Sequence, residues 1–232
     1  MFGHAVPAQS KPRIETRKVE IRAGDVTLAG ELTVPTDAAG VVLFAHGSGS
    51  SRHSARDQFV ARTIRDAGLG TLLFDLLTPA EEAIDAVAKR LRFNIDLLAE
   101  RLINVTSWLK SELDQVHIGY FGASTGAGAA LVAAAELGTI AGAIVSRGGR
   151  PDLAAGSLPL VKAATLLIVG SFDYSVIELN QLAYAQLQCE KQIEIVNGAT
   201  HLFEEPGTLD QVAHLAANWF HRHLTNVGRV VP

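Results

Sequence analysis

Residues 116–126 read Val-His-Ile-Gly-Tyr-Phe-Gly-Ala-Ser-Thr-Gly. The first six form an apolar run suited to a parallel strand buried on both faces. Gly122-Ala-Ser124-Thr-Gly126 follows, and a run of helical composition then extends from 124 to 137 and stops at Gly138. A G-x-S-x-G pentapeptide between strand and helix is the sequence form of a sharp turn that holds a serine hydroxyl out at the edge of a sheet. Such a turn strains the serine backbone and crowds the residues two positions to either side. Gly122 and Gly126 relieve that crowding. The small residues from Ala127 to Ala130 let the helix lie close to the sheet.

Working outward, residues 17–23 and 26–34 alternate around Gly24-Asp25, which predicts an antiparallel hairpin. Buried strands are expected at 41–45, 70–74, 141–145, 165–169 and 191–196. Helices are expected near 54–67, 79–89, 94–111, 175–188 and 208–223. A hairpin followed by repeated strand–helix units implies an α/β fold: a mostly parallel central sheet with an N-terminal antiparallel hairpin and helices on both faces. The stretch between the strands at 141–145 and 165–169 is too short for a separate lid domain. Residues 1–12 read as a flexible N-terminal tail and 13–232 as a single domain.

Composition narrows the function. The chain has 232 residues, 48% hydrophobic and 19% charged, enough to bury a core. A net charge of −4 carries no nucleic-acid footprint. With one cysteine, Cys189, there is no disulfide framework. No apolar run is long enough to span a membrane, and the first residues lack the charge and apolar pattern of a signal peptide, so a cytoplasmic location is expected. Trp108 and Trp219 read as core. His221 and His223 lie two apart on a helix, face different sides and do not suggest a metal pair; no metal and no cofactor are expected.

Ligand sites in parallel sheets lie at the carboxyl ends of strands. Four such ends carry reactive residues: His46-Gly-Ser48-Gly after 41–45, Ser124 after 116–121, Asp173 after 165–169, and His201 after 191–196. The chain order Ser…Asp…His is that of an α/β-hydrolase. Ser124 would be the nucleophile, His201 the base that takes and returns its proton, and Asp173 the acid that orients the imidazole. Asp75, also at a strand end, is the alternative orienting acid. The tetrahedral intermediate needs fixed N–H donors, expected from the backbone of Thr125 and Ser48. His46, Arg147 and Arg52 are candidate substrate contacts. The Arg147/Arg150 and Arg52/Arg56 clusters could each bind an anionic group or simply form surface salt bridges.

These residues resemble the dienelactone-hydrolase-like branch of the α/β-hydrolases over about residues 15–225. The resemblance rests on His46-Gly-Ser-Gly, Leu73-Phe-Asp-Leu-Leu-Thr78, Phe121-Gly-Ala-Ser-Thr-Gly126, Val145-Ser-Arg-Gly-Gly-Arg-Pro-Asp152, the turn from Gly170 to Asp173, and Gly198-Ala-Thr-His-Leu-Phe-Glu-Glu-Pro206. It is similar especially to a bacterial subgroup whose members are sometimes fused to a phosphoribosyltransferase domain, which these 232 residues do not contain. True dienelactone hydrolases carry Cys at the elbow where this chain carries Ser124, so the resemblance implies ester hydrolysis generally rather than the specific lactone activity. The expectation is a serine hydrolase of small soluble carboxylic esters, lactones or thioesters, working through an acyl-enzyme in an open, shallow site that the helical stretch 79–93 could overhang. An acyltransferase using the same residues and a non-catalytic binding member of the fold are the alternatives. The exposed edge strand near 17–23 could support a homodimer.

Overall fold

The structure is a computed structural model that describes residues 13–225. The expected tail at 1–12 lies outside the described residues. β1 (Ile14–Ala23) and β2 (Val26–Pro35) pair antiparallel around Gly24-Asp25, with Gly24 at φ +63° where a side chain is disfavoured. β3 (Gly40–Ala45), β4 (Gly70–Phe74), β5 (His117–Ala123), β6 (Ala141–Arg147), β7 (Ala164–Gly170) and β8 (Lys191–Val196) complete an eight-stranded sheet. Its order is β1-β2-β4-β3-β5-β6-β7-β8; β2 meets β4 antiparallel, and every later pair is parallel.

β3, β4 and β7 are buried along their whole length, which is why they read as unbroken apolar runs rather than alternating ones. α1 (Ala55–Asp66) and α6 (Thr208–Thr225) cover one face, where Val60, Ile64 and Phe220 pack with Phe44, Phe121 and Val145. α3 (Ile95–Glu112), α4 (Thr125–Leu137) and α5 (Tyr174–Gln186) cover the other, where Leu102, Leu131 and Leu187 pack with Leu43, Tyr120 and Ile144. Trp219 is buried, with its indole N–H donating to the Ala164 carbonyl at 3.1 Å; Trp108 is half-buried against the other core.

Several boundaries differ from the sequence expectation; β1 starts three residues earlier, at Ile14, and α6 runs two further, to Thr225. β5 and β6 run two residues further, because Gly122 pairs with Ser146 and Ala123 with Arg147. Arg147 is therefore the last residue of a strand rather than part of the loop after it. α5 ends at Gln186, since Leu187 turns to an extended conformation, and Cys189 lies beyond the helix beside the Thr165 hydroxyl. Between β6 and β7 there are only two short 3-10 turns, Pro151–Ala154 and Leu158–Leu160. α2 (Pro79–Ala88) projects from the carboxyl end of β4, and Asp85 is its one buried residue.

Candidate active site

Ser124 sits between β5 and α4 at φ 49°, ψ −118°, a backbone conformation that costs a non-glycine residue free energy. The surroundings hold it there by main-chain hydrogen bonds from both sides. Its N–H donates to the Arg147 carbonyl at 3.3 Å, and its own carbonyl accepts from Arg150 N–H at 3.0 Å and Ala127 N–H at 3.1 Å. The glycines are needed for packing: a Cβ on Gly126 would lie 2.0 Å from the Ala45 carbonyl oxygen, and one on Gly122 2.4 Å from the Ala127 Cα. A Cβ on Gly47 would press on Ser124 Cβ at 3.3 Å, so the loop after β3 runs directly beside the serine.

His201 and Asp173 meet across two loops. Asp173 occupies the residue before α5, where a carboxylate commonly caps the helix, yet it makes no capping bond. It accepts instead from His201 Nδ1 at 2.6 Å. The loops are tied by Phe172 N–H to the Ala199 carbonyl at 2.9 Å and by the Ser171 hydroxyl, which accepts from Gly198 N–H at 2.8 Å. Gly148, at φ +50°, gives His201 its place: a Cβ there would stand 3.4 Å from the imidazole Nδ1. With Nδ1 committed to Asp173, Nε2 is the nitrogen left for chemistry. Ser124 Oγ makes no hydrogen bond to a described residue.

The two expected oxyanion donors differ in state. Thr125 N–H, at the start of α4, has no acceptor among the described residues. Ser48 N–H donates to the Thr125 hydroxyl oxygen at 3.1 Å. A cavity of about 630 Å³ opens beside this pair, with a floor of Leu76, Leu77 and Leu98 and walls of Ser48, Ser50 and His53 from the β3–α1 loop. α2 and the turn after it line the same cavity through Glu82, Asp85 and Arg92.

The candidate substrate contacts serve the scaffold. Arg147 is 7% exposed, and its Nη2 donates to Asp57 Oδ1 of α1 at 3.1 Å, which leaves almost no face for a substrate. Burial lowers its pKa and the Asp57 charge opposes that. Its main chain does the site's work, by accepting from Ser124. His46 is buried with Nδ1–H donating to the Gly47 carbonyl at 3.0 Å and Nε2 accepting from Leu76 N–H at 3.1 Å, so it pins the β3 loop to the β4 loop. Arg52 binds Asp75 by its backbone N–H at 2.8 Å and by its guanidinium. That pairing occupies Asp75, which takes no part in orienting His201. Arg56 pairs with Glu204, and Arg150 with Asp152.

Asp57, Asp85, Arg92 and Asn180 were not singled out from sequence. Asn180, in the interior of α5, donates from Nδ2 to the Gly149 carbonyl at 3.0 Å and braces the turn behind Ser124. Asparagine is a poor helix-interior residue, and that was its only signal. Asp85 accepts from Arg90 N–H at 2.7 Å, Leu91 N–H at 2.6 Å and the Arg92 guanidinium. Burial pushes its pKa up, but these hydrogen bonds outweigh it and hold the carboxyl below its ordinary value. No group of three or more His, Cys, Asp or Glu side chains suited to a metal occurs among the described residues. No helix among them is long and apolar enough to cross a membrane.

No family model matches the chain. Among solved structures, the dienelactone hydrolase of Anabaena variabilis is similar at TM-score 0.89 and 54% identity, over 91% of this chain and 99% of that one. An esterase of Pyrococcus furiosus aligns at TM-score 0.75 and 18% identity, over 91% and 94%. At that identity the likeness speaks for the fold alone. Among curated proteins, a Mycobacterium tuberculosis protein whose provisional name is phosphoribosyl transferase is 56% identical over 226 residues, 97% of this chain and 50% of that protein. The chain thus spans about half the length of the curated relatives it matches.

Proposed function

Because the chain belongs to the dienelactone-hydrolase-like family of the α/β-hydrolases, and is a hydrolase of that fold, we propose that it cleaves small carboxylic esters through an acyl-enzyme on Ser124. The observation that carries this reading is the 2.6 Å bond between His201 Nδ1 and Asp173, made by a carboxylate at a helix-capping position that caps nothing. An aspartate so placed fixes one imidazole tautomer and stabilises the imidazolium that forms when the ring takes a proton.

In this mechanism Ser124 Oγ attacks the ester carbonyl carbon while its proton passes to His201 Nε2. The carbonyl oxygen becomes an oxyanion, received by Thr125 N–H and by Ser48 N–H as the latter turns from the Thr125 hydroxyl. The intermediate collapses, the C–O bond to the alcohol breaks, and His201 returns the proton to the departing oxygen. Water, deprotonated by His201, then attacks the acyl carbon and frees the acid and Ser124. Each donor or base removed costs transition-state stabilisation, about 3–4 kcal/mol for one oxyanion donor.

The phosphoribosyl transferase name of the mycobacterial relatives attaches to proteins about twice this length, and the chemistry proposed here is assigned to this chain's own residues. The test is turnover of p-nitrophenyl esters from acetate to decanoate by wild type and Ser124→Ala, with fluorophosphonate labelling of both. Short-chain turnover and a label that both vanish in the variant support the reading. Equal residual rates and no label in either protein overturn it.

A further inference from the structure

The two sides of Ser124 are chemically unlike. Toward β3 and β4 the site is a cavity with hydroxyl-bearing walls: the Ser48 and Ser50 hydroxyls have no partner among the described residues, and His53 stands beside them. The fixed charges there do not favour an anion, since the Arg92 guanidinium is paired with buried Asp85 and Glu82 leaves a net negative charge. Such a wall, above Leu76, Leu77 and Leu98, rewards a short neutral group that can donate and accept hydrogen bonds and offers little to an anion. On the side of β7 and β8, the loops that carry Asp173 and His201 also carry exposed large apolar side chains. Phe172 and Tyr174 flank Asp173 and are 56% and 69% exposed; Leu202 follows His201 and is 39% exposed. The bond from Phe172 N–H to the Ala199 carbonyl keeps the loops that carry them side by side.

Reaction chemistry assigns the two sides. His201 must hand its proton to the departing alcohol oxygen, so the alcohol half of an ester lies on the His201 side. With the carbonyl oxygen turned to Thr125 and Ser48, the acyl half is left to extend into the cavity. Resting on the proposed Ser124 ester cleavage, we infer that the preferred substrates are esters of a short, neutral, hydroxylated acid with an aromatic or bulky apolar alcohol. The acid is read by the Ser48–Ser50 wall and the alcohol by the Phe172–Tyr174–Leu202 shelf.

The test is a matrix of four esters: benzyl lactate, ethyl lactate, benzyl propionate and ethyl propionate. The two acids differ by a hydroxyl at equal carbon chain length, and the two alcohols are similarly poor leaving groups. Wild type should show its highest kcat/KM with benzyl lactate. Phe172→Ala combined with Tyr174→Ala should lower benzyl esters roughly tenfold, leave ethyl esters within about twofold, and keep the lactate-over-propionate ratio. Ser50→Ala should shrink that acid ratio roughly three- to tenfold and keep the benzyl-over-ethyl ratio. None of the three altered positions lies in the core, so folding is not at stake. Effects that cross over, with the shelf variant changing acid preference, overturn the assignment, as does a wild type without either preference. Absence of benzyl lactate turnover also overturns it. In that case fluorophosphonate labelling of Ser124 shows whether the ester-cleaving reading survives on its own.

Discussion

The turn at Ser124, whose next residue Thr125 lines the cavity, and the stretch 79–93, which lines it through Glu82, Asp85 and Arg92, are held in different ways. Around Ser124 the restraint is backbone on backbone: β6 and the turn after it grip the serine's N–H and carbonyl, and carbonyl oxygens of Ala45 and His46 crowd Gly126. α2 is exposed on nearly every side, and its attachment runs through side chains. Asp85 gathers the amides of the following turn and the Arg92 guanidinium, while Glu81 caps the helix and pairs with Arg101 at 2.9 Å. Backbone packing fixes position to a fraction of an ångström but tolerates almost no change. Side-chain anchors fix less and can be altered singly without loss of the core. The chemistry of this site rests on the first kind of support and the shape of its pocket on the second.

The largest effect expected from breaking this contrast is at Gly126→Ala. A Cβ 2.0 Å from a main-chain oxygen cannot be relieved by a rotamer change, so the variant should lose about 3 kcal/mol or fail to fold, read by urea denaturation. A loss under about 1 kcal/mol would mean that the elbow yields more than its packing implies. Next is Ser124→Gly, which should abolish ester turnover yet raise stability by about 1 kcal/mol, because glycine accepts φ 49° without strain. Calorimetry of Ser124→Gly beside Ser124→Ala separates strain relief from loss of the hydroxyl.

Asp85→Asn sharpens the other side. It should speed amide hydrogen exchange across 86–93 roughly tenfold or more and raise KM, with α4 exchange unchanged and kcat within about twofold. Equal acceleration in α4 would show that the two regions unfold together. A smaller effect is expected from His46, which joins them. Burial lowers its pKa below 6.5, against the raising influence of the Gly47 carbonyl and the Asp57 and Glu82 charges. The folded state therefore resists protonation that the unfolded state accepts, so this contribution is fully present above pH 6.5 and declines as pH falls below it. His46→Gln should flatten the fall in stability as pH drops below 6.5 relative to wild type. The smallest effect is Val87→Gln on α2: at 88% exposure it should change stability by less than about 0.5 kcal/mol.

The sheet, the helices and the turn at Ser124 were readable from the chain because their signals are local. An apolar run such as 41–45, a Gly-Asp turn between alternating runs, or glycines two residues from a serine each state their own conformation. Strand ends were less readable: Gly122-Ala123 and Ser146-Arg147 carry no strand composition of their own and are strand only because they pair with each other. The arginines were least readable. Nothing near Arg147 in sequence distinguishes a guanidinium that meets a ligand from one that meets Asp57, ninety positions away.

By itself, then, the sequence determined the fold class, the strained serine and the order in which a serine, an aspartate and a histidine follow strand ends, since each depends on residues within one or two turns of chain. The tertiary structure decided which carboxylate meets His201, leaving Asp75 to Arg52 and bringing Asp173 to 2.6 Å. It also decided that Ser48 N–H rests on the Thr125 hydroxyl and that one acid, Asp85, anchors the wall of the pocket. The physical reason is range. A backbone conformation is chosen by neighbours along the chain, whereas a charged or polar side chain takes whichever partner the packed sheet brings within about 3 Å, and strand order sets that distance.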